Sequence, residues 1–521
     1  MKLMRLVLKY NNICTYTLMR IMLESSNTLK VRSIGIDTYR ENIIFMHENN
    51  PVCRSEGFTA LTRVVARKNE KKIVATLNVV YSNIINEREA GLSKEAMLRL
   101  GVSDGDTIEI THLKPIESFS LVRAKMYGKE LGHADFQEII TDVVSGHYSN
   151  IELASFITAC SGNNLSVNEI IGLTRAMIAT SEKIDWGSAM IFDKHSVGGL
   201  PGNRTTPIVV SIVAAAGLSI PKTSSRAITS PAGTADAVET FTRVDLSLNE
   251  IKNVVEKEKG CMAWGGAVKL SPADDILISV ERSLDLDSMG QMVASVLSKK
   301  ASAGATHVLI DIPVGETAKV RSKEEGLKLQ YFFKAVAEQI GLHVETLITD
   351  GSQPVGRGIG PALEAIDVIA VLKNDKNAPQ DLKQKAVALA GMLLELSGKF
   401  AQNNGYNAAL TILESGEAYK KFVAICEMQG GLKEPVPAKY KYDVLAHQGG
   451  VVKKIDNRKL ARVAKLAGAP KSPRAGIVFL SPLQKRLNKG DVLFTIYAET
   501  SGELDYVRAY VNTNNHIIEI E

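Results

Sequence analysis

The chain has 521 residues, 45% of them hydrophobic and 23% charged, with a formal net charge of +5. The length exceeds what one hydrophobic core serves and suggests about three or four domains; so small a charge argues against nucleic acid as a partner while permitting an acidic small-molecule substrate. The five cysteines, Cys14, Cys53, Cys160, Cys261 and Cys426, are widely spaced without a Cys-x-x-Cys pair, which points to reduced thiols in a cytoplasmic setting and away from structural zinc.

The N-terminal MKLMRLVLKYNNIC is basic but has no apolar core of signal-peptide length, and residues 1 to 27 read as an extension without a period. The longest apolar run, near residues 207 to 220, is broken by Ser211 and is too short to span a bilayer, so no membrane partner is expected. Over residues 28 to 114 the segments IIFMH, KKIVATLNVVY and DTIEITHL alternate in hydrophobicity, and a helical SKEAMLRLG precedes the Asp104-Gly105-Asp106 turn. This predicts a β-rich, barrel-like domain with a supporting or assembly role.

Residues 115 to 186 change texture. Apolar positions recur at helical spacing in FQEIITDVV, IELASFITAC and VNEIIGLTRAMIAT, and Ser166 with Glu169 has the pattern of a capping box. A helical domain of several short helices is predicted, with Gly128-Lys129-Glu130-Leu131 among them. Residues 187 to 271 and 303 to 435 alternate strand patterns (AMIFD, THVLIDIPV, LHVETLITD, DVIAVL) with helix patterns (KLQYFFKAVAEQI, LKQKAVALAGMLLEL). That alternation predicts a mostly parallel sheet covered by helices. Residues 272 to 302 interrupt it with a helical pattern and are expected to pack on the helical domain. The segments AGIVFL, DVLFTIYAE, YVRAYV and HIIEIE read as short strands of an α+β domain over residues 436 to 521. There Lys453, Lys454, Arg458, Lys459, Arg462 and Lys465 lack interleaved aromatics and read as a solvated helix face. The expected fold class is multidomain α/β: a helical domain, a large α/β domain with a central parallel or mixed sheet, an N-terminal β-rich barrel-like domain and a C-terminal α+β domain.

Two stretches carry the chemistry. Residues 193 to 206, DKHSVGGLPGNRTT, lie between the apolar AMIF and a helical pattern over residues 208 to 216. The glycines let the backbone turn and expose N–H groups, and with hydroxyls and a helix N-terminus these favour an anion such as phosphate over an ordinary capped turn. The spacing is not that of a Walker loop, since three residues separate Gly198 from Gly202 and Asn203-Arg204 follow. Nor does it fit the dinucleotide-binding fingerprint. Residues 222 to 239, KTSSRAITSPAGTADAVE, gather the hydroxyls of Ser224, Ser225, Thr229, Ser230 and Thr234 beside the Arg226 guanidinium. Such a cluster suits phosphate oxygens or sugar hydroxyls.

Taken in order, KHSVGGLPGNRTT, SSRAITSPAGTADAVE and MVASVLSKK resemble the thymidine/pyrimidine nucleoside phosphorylase family in its longer type, which includes AMP phosphorylases. The resemblance runs from about residue 115 to the C-terminus, and a β-rich N-terminal domain is itself typical of the long type. It implies a helical and an α/β domain facing each other across a cleft, in a homodimer or larger homo-oligomer. Carried over motif by motif, it implies a phosphate site of Lys194, Ser196, Thr206, Ser224 and Thr234. The base and sugar side would draw on Gly199, Ser225, Arg226, Ala227, Ile228, Thr229, Ser230, Ser295 and Lys299. Lys319, in DIPVGETAK, is similar to a ligand-contacting lysine of the AMP-phosphorylase branch, and Asp287 to that branch's proposed proton donor. Asp287 also reads as a helix N-terminal acid, and His195 is the other candidate donor or an orienting group.

The implied reaction is phosphate-dependent cleavage of an N-glycosidic bond, giving a free base such as thymine and (2-deoxy)ribose 1-phosphate. AMP as substrate would give adenine and ribose 1,5-bisphosphate. Val280 stands where the short type places an arginine, with Arg282 two residues on, and Pro201 is an extra residue in the first loop, so both substrates stay open. A phosphoribosyltransferase would need an acidic pair for magnesium–pyrophosphate, for which Asp274-Asp275 is the candidate; a non-catalytic nucleotide-binding scaffold would not need both polar loops. No metal or organic cofactor is implied, and phosphate is a co-substrate. Gly187 and Ala303-Gly304 are candidate hinges for closing the cleft.

Overall fold

The computed structural model describes residues 27–521 apart from 39–40, 189, 228–229, 269, 285, 287 and 515, with residue 282 described by its backbone alone. Cys14, Ile228, Thr229, Asp287 and all but the last residue of the expected N-terminal extension therefore lie outside the described residues. The described chain up to Ser120 forms one compact unit with Ser145–Ser149, and Leu121–Val144 with Asn150–Glu521 forms a second.

In the first unit, β1 (Thr28–Ser33), β2 (Ile43–His47), β3 (Arg63–Lys68), β4 (Lys71–Val80), β5 (Glu89–Leu92) and β6 (Thr107–His112) close into a barrel in the order β1-β5-β2-β4-β3-β6. β6 returns antiparallel to β1, so none of these strands presents a free edge. Alternate residues such as Ile44, Met46, Val64, Ala66, Ala75 and Leu77 fill the interior. The helix Lys94–Leu100 is capped by Ser93 and stopped by Gly101 at φ +67°.

The second unit begins with amphipathic helices. α1 (His133–Val144) buries Phe136, Ile139, Ile140 and Val143, the one-face spacing that helical periodicity dictates. α2 (Asn150–Ala159) follows, then α3 (Val167–Ala179), whose Ser166–Glu169 capping box forms as the spacing indicates. Residues 128 to 131 are not helical. Gly128 takes φ +88°, and the Leu131 N–H is held by the buried Glu169 carboxylate at 2.9 Å, which makes the stretch a connection into α1.

β7 (Phe192–Ser196), β10 (His307–Val314) and β11 (His343–Asp350) form a parallel sheet in the order β11-β10-β7. β8 (Ile220–Ser224) and β9 (Gly260–Trp264) form a second parallel pair, joined to the first by the Phe192 N–H donating to the Ser219 carbonyl at 2.8 Å. α4 (Thr206–Ala215), rich in Val and Ile, is buried along its whole length behind the sheet. Two expectations shift here. β7 lies later than AMIFD, because ion pairs with Lys222 and Lys300 let Asp193, and a hydrogen bond to Thr205 lets Lys194, sit inside the strand. DVIAVL is part of a helix, α8 (Pro361–Leu372), whose Ala365, Val368, Val371 and Leu372 are buried at helical spacing.

α6 (Pro272–Leu284) and α7 (Met289–Ser302) pack on the earlier helices, with Ser288 Oγ donating to the Cys160 carbonyl at 3.0 Å and Gln291 Nε2 to that of Ile157 at 3.1 Å. The passages between helices and sheet meet in one small cluster. Ile184, Leu270 and Ala303 are buried together there against Trp186. The Ile184 N–H donates to the Ser302 carbonyl at 2.9 Å and Trp186 Nε1 to that of Ala303 at 2.7 Å.

The C-terminal part is α+β. Strands Gly358–Ile359, Gly476–Phe479, Val492–Ala498 and Tyr440–Leu445 form an antiparallel sheet in that order, and Arg486–Leu487, Gly450–Ile455 and Ile518–Ile520 form another. YVRAYV lies not in a strand but in the helix Ser501–Thr513, which Thr500 and Glu503 open with a capping box and which buries Val507 and Val511 one turn apart. Lys453, Lys454, Arg458, Arg462 and Lys465 are at least partly open to solvent. No described helix is long and apolar enough to cross a membrane.

Candidate active site

The C-terminal ends of β7 and β8 carry the two polar loops. Asp193 is buried; its carboxylate accepts from Lys300 Nζ at 2.6 Å, from Lys222 Nζ at 3.2 Å and from the Lys194 N–H at 2.6 Å. Burial alone would raise its pKa, but Lys222 and Lys300 outweigh burial and hold it below the usual carboxylate range. Lys194 is also buried, and its ammonium donates to Thr205 Oγ1 at 2.8 Å. Burial first of all, then the neighbouring Lys385 and Arg204, bring that ammonium down to about 8 against the pull of Asp311. His195 is half-buried; desolvation and the charges of Lys300, Lys222, Lys299 and Lys194 keep its imidazole well below the usual value, and so neutral.

Ser196 pairs in register with Asp311 of β10, and its Oγ donates to Asp311 Oδ2 at 2.9 Å. The fully buried Asp311 also accepts from Thr349 Oγ1 at 2.6 Å, from Asn203 Nδ2 at 3.3 Å and from Lys385 Nζ at 3.2 Å. Lys385 comes from α9 (Gln380–Leu396).

The first loop is shaped by close backbone approaches. Gly199 sits at φ +80° with the place of a Cβ 2.4 Å from the Lys319 N, and Gly202 at φ +69° with that place 2.4 Å from the Val355 carbonyl oxygen. Neither position has room for a side chain. Thr205 precedes α4 with helical backbone angles (φ −71°, ψ −24°) and gives no side-chain cap, its hydroxyl accepting from Lys194. Thr206, buried, opens α4; Pro207 has no N–H and the Val209 N–H donates to the Thr205 carbonyl at 3.0 Å, which leaves the N–H groups of Thr206 and Ile208 without a side-chain cap.

The second loop lies beside it. Arg204 Nη1 donates to Thr234 Oγ1 at 2.5 Å and Nη2 to the Ala232 carbonyl at 3.1 Å, while Nε donates to Glu364 Oε2 at 2.7 Å. Burial pushes Glu364 up to about 7 despite Arg204 and the Gly360 N–H. Asp236 organises the loop from α5 (Thr234–Glu239), accepting from the Ala227 N–H at 2.6 Å and the Gly233 N–H at 2.8 Å. Ser224 Oγ, at the end of β8, is buried with no hydrogen-bond partner among the described residues.

Other expected residues fall in different surroundings. Arg226 spends its fork on Glu239 at 2.8 Å and Asp236 at 3.3 Å and stacks 4.9 Å from the Trp264 ring, so it clamps the loop from outside. Ser230 Oγ donates to the Ala232 carbonyl at 3.1 Å, and the Ser225 carbonyl accepts from the Ala235 N–H at 3.3 Å. On α7, Lys299 Nζ contacts Asp274 Oδ2 at 2.8 Å, and the Ser295 carbonyl accepts from Ser298 Oγ at 3.3 Å. Val280 is buried on α6. Asp193, Asn203, Arg204, Lys222, Lys300, Asp311, Glu364 and Lys385 were not singled out by sequence. Asp193, Lys222 and Asp311 had a legible signal, a charge inside an apolar strand; Lys385 had none.

Around the loops the cations Lys194, Lys222, Lys300, Lys385 and Arg204 stand beside the carboxylates Asp193, Asp311 and Glu364, and burial brings Lys194 down to about 8 and Lys300 to about 7. A bound anion would favour the charged form of both lysines. The first turn of α4, without a side-chain cap, and the orphan Ser224 hydroxyl at the end of β8 each offer donors that suit an oxyanion.

Residues 188–419 match the a/b domain of a glycosyl transferase family, residues 120–181 the helical bundle domain of a glycosyl transferase family, and residues 451–518 the pyrimidine nucleoside phosphorylase C-terminal domain. Over 495 residues the chain is 53% identical to a protein of Legionella pneumophila (strain Paris) named "Putative thymidine phosphorylase", covering 95% of this chain and 96% of the relative. A protein of the same name from Hahella chejuensis (strain KCTC 2396) is 51% identical over 95% of this chain and 98% of its own length. Among solved structures, the anthranilate phosphoribosyltransferase of Thermus thermophilus shares the fold alone, with a TM-score of 0.51 and 19% identity over 59% of this chain and 98% of that one.

Proposed function

Because the chain belongs to the thymidine/pyrimidine nucleoside phosphorylase family of pentosyltransferases, we infer that it cleaves the N-glycosidic bond of a pyrimidine nucleoside with phosphate. The products are the free base, thymine from thymidine, and (2-deoxy)ribose 1-phosphate. The observation that carries this reading is the buried Lys194 ammonium on the first loop together with the Ser224 hydroxyl, buried without a hydrogen-bond partner among the described residues, two groups that suit an oxyanion.

In this reading Lys194, Ser196, Thr206, Ser224 and Thr234 hold the phosphate below the sugar. Positioning converts a weak nucleophile into an effective one, since attack becomes intramolecular in character. The anomeric carbon becomes oxocarbenium-like and is stabilised by the adjacent phosphate charge, while Lys299 faces the negative charge growing on the base. Gly199, Ser225, Arg226, Ala227, Ile228, Thr229, Ser230 and Ser295 belong to the sugar and base side. His195, neutral among lysines, acts as a hydrogen-bonding orienter, which leaves Asp287 as the proton donor. Closure about Gly187 and Ala303-Gly304 excludes water that would otherwise hydrolyse the substrate. The enzyme acts in the cytoplasm as a homodimer or larger homo-oligomer.

A second reading, phosphorolysis of AMP, is favoured by Lys319, whose backbone presses against Gly199 and brings a further lysine to the first loop. Incubating thymidine, uridine and AMP with and without inorganic phosphate, and measuring free base, separates the readings. Phosphate-dependent release from thymidine is expected, and Lys194→Ala should reduce it by about 10²–10³-fold. Release without phosphate, or full activity in Lys194→Ala, would remove the assignment.

A further inference from the structure

We propose that Arg204 is a positioning residue for phosphate: it fixes the two loops to one another and commits the Thr234 hydroxyl to donate its hydrogen to the bound anion. The proposal rests on the phosphorolysis reading above.

A guanidinium has only donors. Arg204 directs them to two segments: Nη1 to Thr234 Oγ1 at 2.5 Å and Nη2 to the Ala232 carbonyl at 3.1 Å in the second loop, and Nε at 2.7 Å to Glu364 Oε2 at the start of α8. Arg204 itself lies in the first loop, its side chain 11% exposed against 1% for that of Glu364. Glu364 is anchored in turn, its Oε1 accepting the Gly360 N–H at 3.1 Å. The planar fork therefore has no freedom to swing.

The consequence for Thr234 is one of hydrogen-bond polarity. A hydroxyl approached by a donor-only group accepts through a lone pair, and its own hydrogen points elsewhere. The Thr234 hydroxyl makes no other hydrogen bond among the described residues. Its hydrogen is left for a ligand oxygen. Lys194 does the same to Thr205 Oγ1 at 2.8 Å. Ser196 differs, because its hydrogen goes to Asp311 at 2.9 Å and must turn from that carboxylate for the hydroxyl to hold the anion. The cations thus act on the anion partly through hydroxyls whose direction they set.

The test compares wild type, Thr234→Val, the paired variant Arg204→Met/Glu364→Leu, and the triple variant. Pairing the substitutions avoids leaving a buried carboxylate alone. Inorganic phosphate is titrated calorimetrically, and KM for phosphate and for nucleoside is measured separately. Thr234→Val and the paired variant should each weaken phosphate binding about 10- to 100-fold, with nucleoside KM within about twofold of wild type. The triple variant should be no weaker than the paired one by more than about threefold, because the arginine acts through the hydroxyl. Arg204→Lys, which keeps a donor, should fall between. Losses that multiply in the triple variant, an unchanged phosphate affinity in the paired one, or an equal rise in nucleoside KM would overturn the role of Arg204. Absence of phosphate-dependent base release from the wild type would instead overturn the phosphorolysis reading, while the titration still decides the role of Arg204 in phosphate binding.

Discussion

Lys385 Nζ lies 3.2 Å from Asp311 Oδ2, with a tenth of the lysine side chain exposed and none of the aspartate's. A helix far along the chain thereby supplies a cation to a carboxylate that sits under the first loop and takes the Ser196 hydrogen. Removing one partner leaves a buried charge without its counterpart. Lys385→Met should cost about 3–5 kcal/mol of stability in urea unfolding. A loss below about 1 kcal/mol would show that Lys194 and the hydroxyls suffice.

Lys194 yields two pH effects of opposite sign. Its ammonium is brought to about 8 by burial, against about 10.4 in an unfolded chain. Between those values the unfolded chain binds the extra proton, so stability rises with pH relative to Lys194→Met. Phosphate affinity should fall over the same interval as the ammonium loses its charge. Thermal unfolding of both proteins and phosphate titrations from about pH 7 to 10 check the two signs. A phosphate affinity that stays flat would separate Lys194 from the anion.

His195 is kept neutral by burial and four lysines, so no imidazolium supplies the proton near neutrality. At saturating substrates kcat should show no inflection from this group near its ordinary value of about 6.5, and His195→Gln should retain activity within about tenfold. Below that pH the unfolded histidine takes a proton that the folded one refuses. Wild type should therefore lose stability relative to His195→Gln as pH falls. A kcat inflection near the ordinary histidine value that His195→Gln abolishes would contradict this.

Gly199→Ala tests the packing of the first loop. The site combines φ +80° with a Cβ position 2.4 Å from the Lys319 N, so the loop must shift. A cost of about 1–3 kcal/mol is expected, together with a raised KM for phosphate or nucleoside. Gly198→Ala has φ +86° but open space around it. It should cost only the backbone penalty of about 1–2 kcal/mol.

The parts of this fold that were legible from sequence are those with an unambiguous period. TIEITH, within DTIEITHL, alternates and is a strand; IELASFITAC and VNEIIGLTRAMIAT repeat at helical spacing and are helices. DVIAVL and YVRAYV are short apolar runs, for which β-branched composition misleads. The cues that decide them lie just upstream, Gly360-Pro361 for one and the Thr500–Glu503 capping box for the other. At the candidate site the hydroxyls and glycines of both loops stood out in sequence. Their supports did not, because Asp311, Glu364 and Lys385 are brought to the loops by tertiary pairing that no local pattern encodes.

The knot of Ile184, Leu270 and Ala303 against Trp186 has a practical corollary. The chain contains two tryptophans; one is tied to that knot and the other, Trp264, lies under the Arg226 guanidinium at the outer wall of the second loop. The polypeptide thus carries one native optical probe at the passage between helices and sheet and another against the second loop. Substituting either indole by phenylalanine would assign the emission of each without any attached dye.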